Sequence, residues 1–257
     1  MLNVTTLGSG SAGNCALVES AQSRLLIDGG LSARQITLRL AEIGVEPSQL
    51  DGILITHEHC DHVRGLEVLL KKFDLPVYIN SLTAEALGEK IQKRARIFQT
   101  GSEFALKDIT VQTFSVPHDA AEPTGFVLHH EDSVLGFCTD LGFATKLVFE
   151  RLRFAQTILI ETNHDEKMLQ NDTRRPWSLK QRIMSRHGHL SNCAAATVLE
   201  QLLGNGLQRA ILAHLSRDCN SPEMAINTVR GQLSRAGADS VEVYCASQDK
   251  VSPRFTV

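Results

Sequence analysis

The sequence predicts an α/β protein in which two β-sheets pack face to face and helices cover both outer faces. Strand and helix patterns alternate in the first third of the chain and again after residue 140, while residues 97–139 are patterned as strands throughout. The chain has 257 residues, of which 42% are hydrophobic and 21% charged, as in ordinary globular proteins. No repeat, low-complexity tract or linker divides it, so we predict one domain over residues 1–257. Periodicity alone does not distinguish this sandwich from other α/β layouts.

The first half of the chain is predicted to build one sheet and its helices. Glycine-rich residues 8–14 separate the first two strands, and Ser32 is a suitable N-cap for the first helix, which Gly44 ends. The predicted elements of this half are strands at 2–7, 15–19, 24–27, 52–56 and 77–79, and helices at 32–43, 63–73 and 83–92.

The second half is predicted to build the other sheet, with three strands in the β-rich middle and an alternation of strands and helices after it. The last helix is the most clearly marked, because Ser221, Pro222 and Glu223 supply an N-cap, a first-turn proline and an acidic first turn. The predicted elements of this half are strands at 109–116, 126–130, 134–138, 157–160, 209–213 and 241–245, and helices at 146–152, 179–184, 191–203 and 221–235.

Composition and charge exclude several classes of function. Lys and Arg number 26 and Asp and Glu 29, a formal net charge of −3, so the protein is not a polycation that coats nucleic acid. A nucleic-acid substrate would need a local basic patch. The six cysteines form no C-x-x-C pair, which argues against a zinc knuckle and favours reduced thiols. There is no signal-peptide pattern and no apolar run long enough to span a bilayer, so we expect a cytoplasmic protein with no membrane partner.

Ten histidines are the unusual feature of the composition, and three of them share one short loop. The segment His57-Glu58-His59-Cys60-Asp61-His62 directly follows a predicted strand and precedes a helix, so three imidazoles and a carboxylate project from the carboxyl end of that strand. Imidazole and carboxylate ligands suit Zn, Mn or Fe, and the absence of cysteine ligands suits a catalytic site with an open position. Cys60 alternates with the ligand-type side chains and is expected to point away from them.

Two metal ions are implied, because four side chains from one tight loop cannot all reach one ion at about 2.0–2.2 Å. A two-metal site needs further ligands, including an anion that bridges ions about 3.5–4 Å apart. Three residues of suitable type follow predicted strands further along the chain, namely His118, Asp140 and His214. Asp140 is the expected bridge.

In order and context, these residues resemble the five motifs of the metallo-β-lactamase superfamily, with Asp28 at the end of a strand as the first. The resemblance covers almost the whole chain and implies an αββα sandwich, a four-layer α/β fold, with the metals in a groove at one edge. It also implies the ligand sets. One ion would be held by His57, His59, His118 and Asp140, and the other by Asp61, His62, Asp140 and His214. Asp28 would orient an imidazole of the ligand loop without touching a metal.

Residue types at two ligand positions indicate the branch of that superfamily. The branch that opens β-lactam rings generally carries Cys where this chain has Asp140, and the flavodiiron branch typically has Glu where His59 stands. The resemblance therefore points to hydrolysis, either of thioesters, as in glyoxalase II, or of phosphodiesters, as in tRNase Z and the β-CASP nucleases.

Three later segments favour phosphodiester hydrolysis, because they resemble motifs of tRNase Z-like phosphodiesterases. They are residues 161–165 (ETNHD), 188–192 (GHLSN) and 214–220 (HLSRDCN). In those enzymes an extra Glu–His pair protonates the leaving group, and its counterparts here would be Glu161 and His189. An alkoxide is a poor leaving group, so an imidazole oriented by a carboxylate suits this step near neutral pH. The alternative is that His189 merely precedes a helix capped by Ser191.

Together with residues 9–15, these segments most resemble the WalJ/YycJ-like group of small bacterial nucleases. That group is associated with 5′-to-3′ exonuclease activity on double-stranded DNA and with mismatch repair. The interval between Asp140 and His214 is too short for a β-CASP insertion, and the long arm with which tRNase Z grips tRNA is not evident. Cys219 departs from the Asn expected in relatives, which puts the hydrogen bonding of its loop in doubt.

The sequence indicates the residues that contact the substrate less clearly than it indicates the metal ligands. The basic stretch that contains Arg174 and Arg175, with Trp177 beside them, could follow a phosphate backbone and stack on a terminal base. A solvated helix face explains that stretch nearly as well. The glycine-rich turn with Ser11 and Asn14 could offer backbone N–H groups to a phosphate, and a simple turn near the metals is the alternative.

The combined hypothesis is a two-metal exonuclease on double-stranded DNA in which a hydroxide held near Asp61 attacks phosphorus in line. Asp61 would be both ligand and proton acceptor, and the ions would be Zn or Mn, with Fe also compatible. Two other hypotheses stay open. One is a small-molecule thioester or lactone hydrolase of the glyoxalase II type, and the other is a metal-binding regulatory protein that acts through partners.

Overall fold

A computed structural model describes residues 1–257, and it contains fourteen strands and ten α-helices. The strands are β1 (Asn3–Gly8), β2 (Cys15–Glu19), β3 (Arg24–Ile27), β4 (Gly52–Leu54), β5 (Val77–Asn80), β6 (Ala95–Phe98), β7 (Glu103–Leu106), β8 (Ile109–Ser115), β9 (Thr124–His130), β10 (Ser133–Cys138), β11 (Thr157–Glu161), β12 (Arg209–Ala213), β13 (Glu242–Cys245) and β14 (Phe255–Thr256). The helices are α1 (Ala33–Glu42), α2 (Cys60–Val63), α3 (Leu66–Lys72), α4 (Ser81–Leu87), α5 (Glu89–Gln92), α6 (Lys146–Leu152), α7 (Glu166–Asn171), α8 (Trp177–Ile183), α9 (Asn192–Gln201) and α10 (Pro222–Arg235).

The strands form two seven-stranded sheets, one from each half of the chain. The first has the order β14-β1-β2-β3-β4-β5-β6, and the second has the order β13-β12-β11-β10-β9-β8-β7. Each sheet is antiparallel on one side and parallel on the other, where helices connect successive strands. The C-terminal strand β14 returns to pair with β1, so the end of the chain completes the first sheet.

Three apolar clusters account for the layers. One cluster lies between the sheets and draws side chains such as Val18, Phe126 and Ile211 from both of them. A second packs α1 and α3 on the outer face of the first sheet, and a third packs α6, α9 and α10 on the outer face of the second. Burial of these apolar faces is the main stabilising term of such a layered fold. The predicted αββα sandwich is therefore confirmed, and the shared inter-sheet cluster supports our proposal of one domain.

The predicted helix at 63–73 is wrong in its boundaries, because two helices, α2 and α3, occupy this region. They are separated at Gly65, where a Cβ would lie 2.1 Å from the carbonyl oxygen of Leu31. The loop after β3 packs against the chain at this point, so only glycine fits. The Gly65 N–H donates to the carbonyl oxygen of Gly29 at 2.8 Å and not to the preceding helical turn, which interrupts the helix. The predicted helix at 83–92 is likewise divided, at Gly88, which has a left-handed φ of 82°.

Two elements, α7 and β14, lie wholly outside the predicted ones, and strands β6 and β7 were not placed individually although residues 97–139 were predicted to be β-rich. Helix α7 is short and polar, with Asp165 as its N-cap, and strand β14 has only two residues, which pair with β1. Neither is long enough to show a hydrophobic period, so both depend on tertiary contacts. None of the ten helices combines the length and apolar character that crossing a membrane requires.

Candidate metal centre

Strand ends from both sheets meet at one edge of the sandwich and place the predicted site there. Asp28 and His214 come directly after β3 and β12, and Asp140 comes two residues after the end of β10. All three have left-handed backbone conformations, with φ of 62° for Asp28, 53° for Asp140 and 56° for His214. Such conformations cost a non-glycine residue on the order of 1–3 kcal/mol. The other two non-glycine residues in this conformation, Lys107 and Glu131, lie in turns between consecutive strands, so the three at the strand ends of the site are the ones without a hairpin turn to explain them.

Three imidazoles converge on one side of the site. The ring centroids of His57 and His59 are 4.6 Å apart, and the His118 ring is 5.1 Å from His57 and 5.0 Å from His59. One ring nitrogen of each lies within 4.8 Å of those of the other two. This spacing matches three ligands of a single ion.

A second group lies beside the first. The Asp61 Oδ2 atom is 3.1 Å from His214 Nε2 and 3.7 Å from His62 Nε2. Asp140 lies between the two groups, with Oδ2 3.0 Å from His62 Nε2 and Oδ1 3.6 Å from His118 Nε2. Oδ1 is also 3.6 Å from His214 Nδ1, so this carboxylate borders both groups, which is the position that a bridging ligand would take.

Two buried polar atoms in the site are left for a cation. His57 Nε2 makes no hydrogen bond although His57 is 1% exposed, and Asp140 Oδ2, in a residue that is 2% exposed, has only the ring nitrogen His62 Nε2 beside it at 3.0 Å, which makes no hydrogen bond to it when the His62 proton is on Nδ1. A buried polar atom without a partner costs about 1–3 kcal/mol, so such atoms are rare in folded proteins. A divalent cation would satisfy both atoms. The nitrogen and oxygen donors therefore fit divalent metal ions in this centre.

Asp28 orients His62 from behind. The Asp28 Oδ2 atom is 2.7 Å from His62 Nδ1, and the hydroxyl and backbone N–H of Thr56 both donate to the same carboxylate at 2.9 Å. His62 Nδ1 carries the proton in this contact, which leaves Nε2 directed at Asp140 and Asp61. Burial alone would lower the pKa of His62, but the charges of Asp140 and Asp28 outweigh it and raise the pKa to about 10, so a metal ion bound at Nε2 would displace a proton from that atom.

Glu161 holds two further imidazoles. Its Oε1 atom accepts from Nδ1 of His189 and from Nδ1 of His214, both at 2.7 Å, and its Oε2 atom accepts from the backbone N–H groups of Leu141 and Leu190. The predicted Glu161–His189 pair is thus present in the structure. Burial would raise the pKa of Glu161, but the charge of His189 and these hydrogen bonds lower it to about 2. Burial would lower the pKa of His189, and the charge of Glu161 raises it instead.

The predicted phosphate contact of Asn14 is corrected, because its backbone N–H donates to the carbonyl oxygen of Asp61 at 2.7 Å and its side chain faces the protein. Asn14 is 3% exposed, accepts from Ser9 Oγ and the Gly10 N–H, and lies 3.2 Å from His62 Nε2. The turn thus supports the ligand loop.

The loop that follows β3 also packs closely against the ligand segment, since a Cβ at Gly30 would lie 1.6 Å from the carbonyl oxygen of Asp61. Cys60 is exposed and outside the groups that could hold a metal.

A cleft of about 230 Å³ opens beside the metal cluster, and its opposite wall comes from residues 163–188. Ser11 and Arg175 line it, whereas Arg174 and Trp177 do not, so those two substrate predictions do not fit the cleft. The basic stretch is also less positive than its sequence indicates. Arg174 and Arg175 form ion pairs with both Asp172 and Asp218, which fold onto them from either side. The loop at Cys219, for which the sequence left the hydrogen bonding open, packs against this stretch: Cys219 Sγ is 3.5 Å from Arg175 Nη1.

Comparison with known proteins decides the family. A family model described as "Beta-lactamase superfamily domain" matches residues 23–215. The chain belongs to the beta-lactamase superfamily. It is a metal-dependent hydrolase of this superfamily, and the predicted family resemblance is confirmed.

Relatives within the superfamily cover nearly the full chain. The chain is 38% identical over 257 residues to "Exodeoxyribonuclease WalJ" of Streptococcus pneumoniae, which spans 96% of this chain and 95% of that protein. It is 37% identical over 247 residues to "Exodeoxyribonuclease YycJ" of Bacillus anthracis, spanning 95% and 93%. The solved structure of the metallo-β-lactamase fold protein YhfI from Bacillus subtilis superposes with a TM-score of 0.73 at 15% identity, covering 98% of this chain and 99% of that one. For human tRNase Z, short form, the TM-score is 0.65 at 18% identity, with 97% and 98% covered.

Sequence reasoning about this superfamily member missed two features of the site. Thr56 was not singled out, although it directly precedes the histidine loop and is the residue that joins Asp28 to that loop. The second role of Glu161, as the partner of His214, was also missed. Its signal is register, because β11 and β12 are parallel neighbours that pair Glu161 with Ala213, the residue before His214.

Proposed function

We propose that this hydrolase is a 5′-to-3′ exonuclease that acts on double-stranded DNA and serves DNA repair. The observation that carries the proposal is the position of His189, which Glu161 holds at 2.7 Å at the edge of the metal cluster and on the wall of the cleft. A phosphodiester needs a proton donor there, because its alkoxide is a poor leaving group, whereas a thiolate leaves without one. The near-full-length similarity to two proteins named exodeoxyribonucleases supports DNA as the substrate.

The metal ligands follow from the two groups of side chains. We assign one ion to the group His57, His59 and His118 and the other to the group Asp61, His62 and His214, with Asp140 serving both. Zn and Mn suit this donor set, and Fe is compatible with it. When bound, two such ions supply an activated water and neutralise charge on the phosphate.

Two side chains of the protein carry out the proton transfers: Asp61 accepts a proton and His189 donates one. Asp61 is 24% exposed and faces the cleft, where its carboxylate can accept a proton from the attacking side. His189 donates its Nδ1 proton to Glu161, so its Nε2 atom is the one free to protonate the leaving 3′ oxygen. The negative charge of Glu161 favours the protonated imidazole, which is the form that a general acid requires.

We also propose a cytoplasmic location. A genomic DNA substrate lies inside the cell, and all six cysteines are free thiols, as is usual in a reducing compartment.

Duplex DNA labelled at one end tests the proposed function. With Mn²⁺ or Zn²⁺ present, we expect a 5′ label to be released at once as a mononucleotide, while a 3′ label stays on progressively shorter fragments. Bis-p-nitrophenyl phosphate should also be hydrolysed, because it is an activated phosphodiester. Turnover of S-lactoylglutathione without cleavage of either phosphodiester would identify a thioester hydrolase and contradict the proposal. Binding of metal with no turnover of any of these substrates would favour the regulatory hypothesis.

A further inference from the structure

His164 is a buried histidine in the cleft wall for which neither the metal centre nor the proposed proton transfers has a use. It is 2% exposed and lines the cleft, and its Nδ1 atom has no hydrogen-bond partner. Most buried imidazole nitrogens are hydrogen-bonded, so an unpartnered one beside a cleft indicates a missing ligand group. Burial lowers the pKa of His164, and the neutral ring then offers one donor and one acceptor.

The backbone holds His164 firmly at this position. Its carbonyl oxygen accepts from the Asn192 N–H at 2.8 Å, and a β-bridge joins it to Ser191. The adjacent Asn163 is tied to Leu190 by a hydrogen bond from its N–H at 2.9 Å and to Ser216 by one to its carbonyl oxygen at 2.7 Å. These bonds join the segment to the residues that flank His189 and His214. The imidazole of His164 is therefore placed in a fixed relation to the reacting centre.

The cleft around His164 has the chemistry of a nucleobase site. Leu169, Leu179 and Ile183 line the same cleft, whose other lining residues are mostly polar or charged and include Arg182 and Ser216. A base presents flat apolar faces and a hydrogen-bonding edge, which these three aliphatic side chains and a neutral imidazole complement. A neutral ring can donate to one base edge and accept from another, so such a contact suits an enzyme that removes nucleotides of any sequence.

We propose that His164 contacts the base of the terminal 5′ nucleotide, the one that departs with the oxygen protonated by His189. The inference rests on the proposed function, because it takes the leaving group of a 5′-to-3′ exonuclease to be the 3′ oxygen of that nucleotide. His164 and His189 lie on segments joined by the Asn163–Leu190 hydrogen bond, so a group beside one lies near the other. His164 thus acts in substrate binding and takes no part in proton transfer.

The His164→Phe variant removes the ring nitrogens and keeps the ring. Loss of a buried hydrogen bond of about 1.4 kcal/mol corresponds to a tenfold effect, so we expect kcat/KM for duplex DNA to fall about tenfold or more, mainly through KM. Hydrolysis of bis-p-nitrophenyl phosphate, which has no base, should change less than twofold. His164→Asn keeps a hydrogen-bonding group near Nδ1 and should restore part of the loss. His129→Phe is the matched control, because His129 also has a buried unpartnered nitrogen but lies on β9 outside the cleft.

A DNA duplex whose 5′-terminal nucleotide lacks its base tests the contact between His164 and that base separately from the other substrate contacts. On that substrate, we expect the cost of His164→Phe to shrink to twofold or less. An equal cost on the intact and abasic ends, or a parallel loss on bis-p-nitrophenyl phosphate, would overturn the inference in favour of a structural role. No loss on any substrate would overturn it as well. Failure of the wild-type protein to cleave DNA while it hydrolyses bis-p-nitrophenyl phosphate would instead refute the proposed function.

Discussion

Asp61→Ala is expected to abolish cleavage of labelled duplex DNA in the presence of Mn²⁺ or Zn²⁺, with a loss of at least about 10³-fold in kcat/KM. The change removes the Oδ2 atom that lies 3.1 Å from His214 Nε2 and 3.7 Å from His62 Nε2. It therefore deletes both a proposed metal ligand and the proposed proton acceptor, and general-base catalysis alone contributes about 10²–10⁴-fold. Bis-p-nitrophenyl phosphate should lose activity to a similar extent, because both substrates depend on the same attack.

Asp239→Asn is a matched control for the loss of a carboxylate, since Asp239 is exposed on the loop after α10 and distant from the centre. Circular dichroism and the melting temperature should show that Asp61→Ala remains folded, because the Asp61 side chain is partly exposed and belongs to no apolar cluster. Full residual activity of Asp61→Ala would refute the proposed mechanism.

Glu161→Gln is expected to reduce DNA cleavage by about 10²–10⁴-fold, the range for loss of a general acid. All four partners of Glu161 are N–H donors, on His189, His214, Leu141 and Leu190. A carboxylate accepts all four, whereas the amide of Gln must point its own NH₂ group at some of them. Two imidazoles then lose their orientation at once. Glu166→Gln is the control, because Glu166 is exposed on α7 and accepts from Ser191, with no contact to either ring.

His189→Ala separates the two effects of Glu161. Since p-nitrophenolate is a good leaving group that needs no proton donor, this variant should lose far more activity on DNA than on bis-p-nitrophenyl phosphate. Glu161→Gln should impair both substrates, because it also releases the proposed metal ligand His214. Equal losses of His189→Ala on the two substrates would exclude leaving-group protonation as the role of His189.

The sequence alone predicted the residues of the candidate site where they lie close together in the chain or follow a clear strand pattern. Residues 57–62 form one continuous segment, in which α2 begins at Cys60, and Asp140 and His214 each follow a buried strand, so residue type and strand pattern together indicated that these side chains converge. Gly65 is an example of a feature that the neighbouring sequence does not reveal. Its glycine is required by the carbonyl of Leu31 on another loop, and no helical period can reveal that contact.

The sequence also did not reveal that a distant carboxylate neutralises part of the basic stretch. The basic stretch around Arg175 contains no acid in its own run, yet Asp218 reaches it from a segment far along the chain. Thr56 and Asn14 likewise act through contacts with residues from other strands. The convergence of side chains that belong to one motif was predictable, whereas the contacts that support them and the pairing of the arginines depend on the tertiary fold.

The number of bound metal ions tests the central claim most directly. Native mass spectrometry of the protein purified without chelator, followed by elemental analysis of the same sample, measures it. Two divalent ions per chain are expected, because two groups of His and Asp side chains share the bridging Asp140. A sample that hydrolyses DNA at full rate with one ion per chain, or with none, would contradict the account.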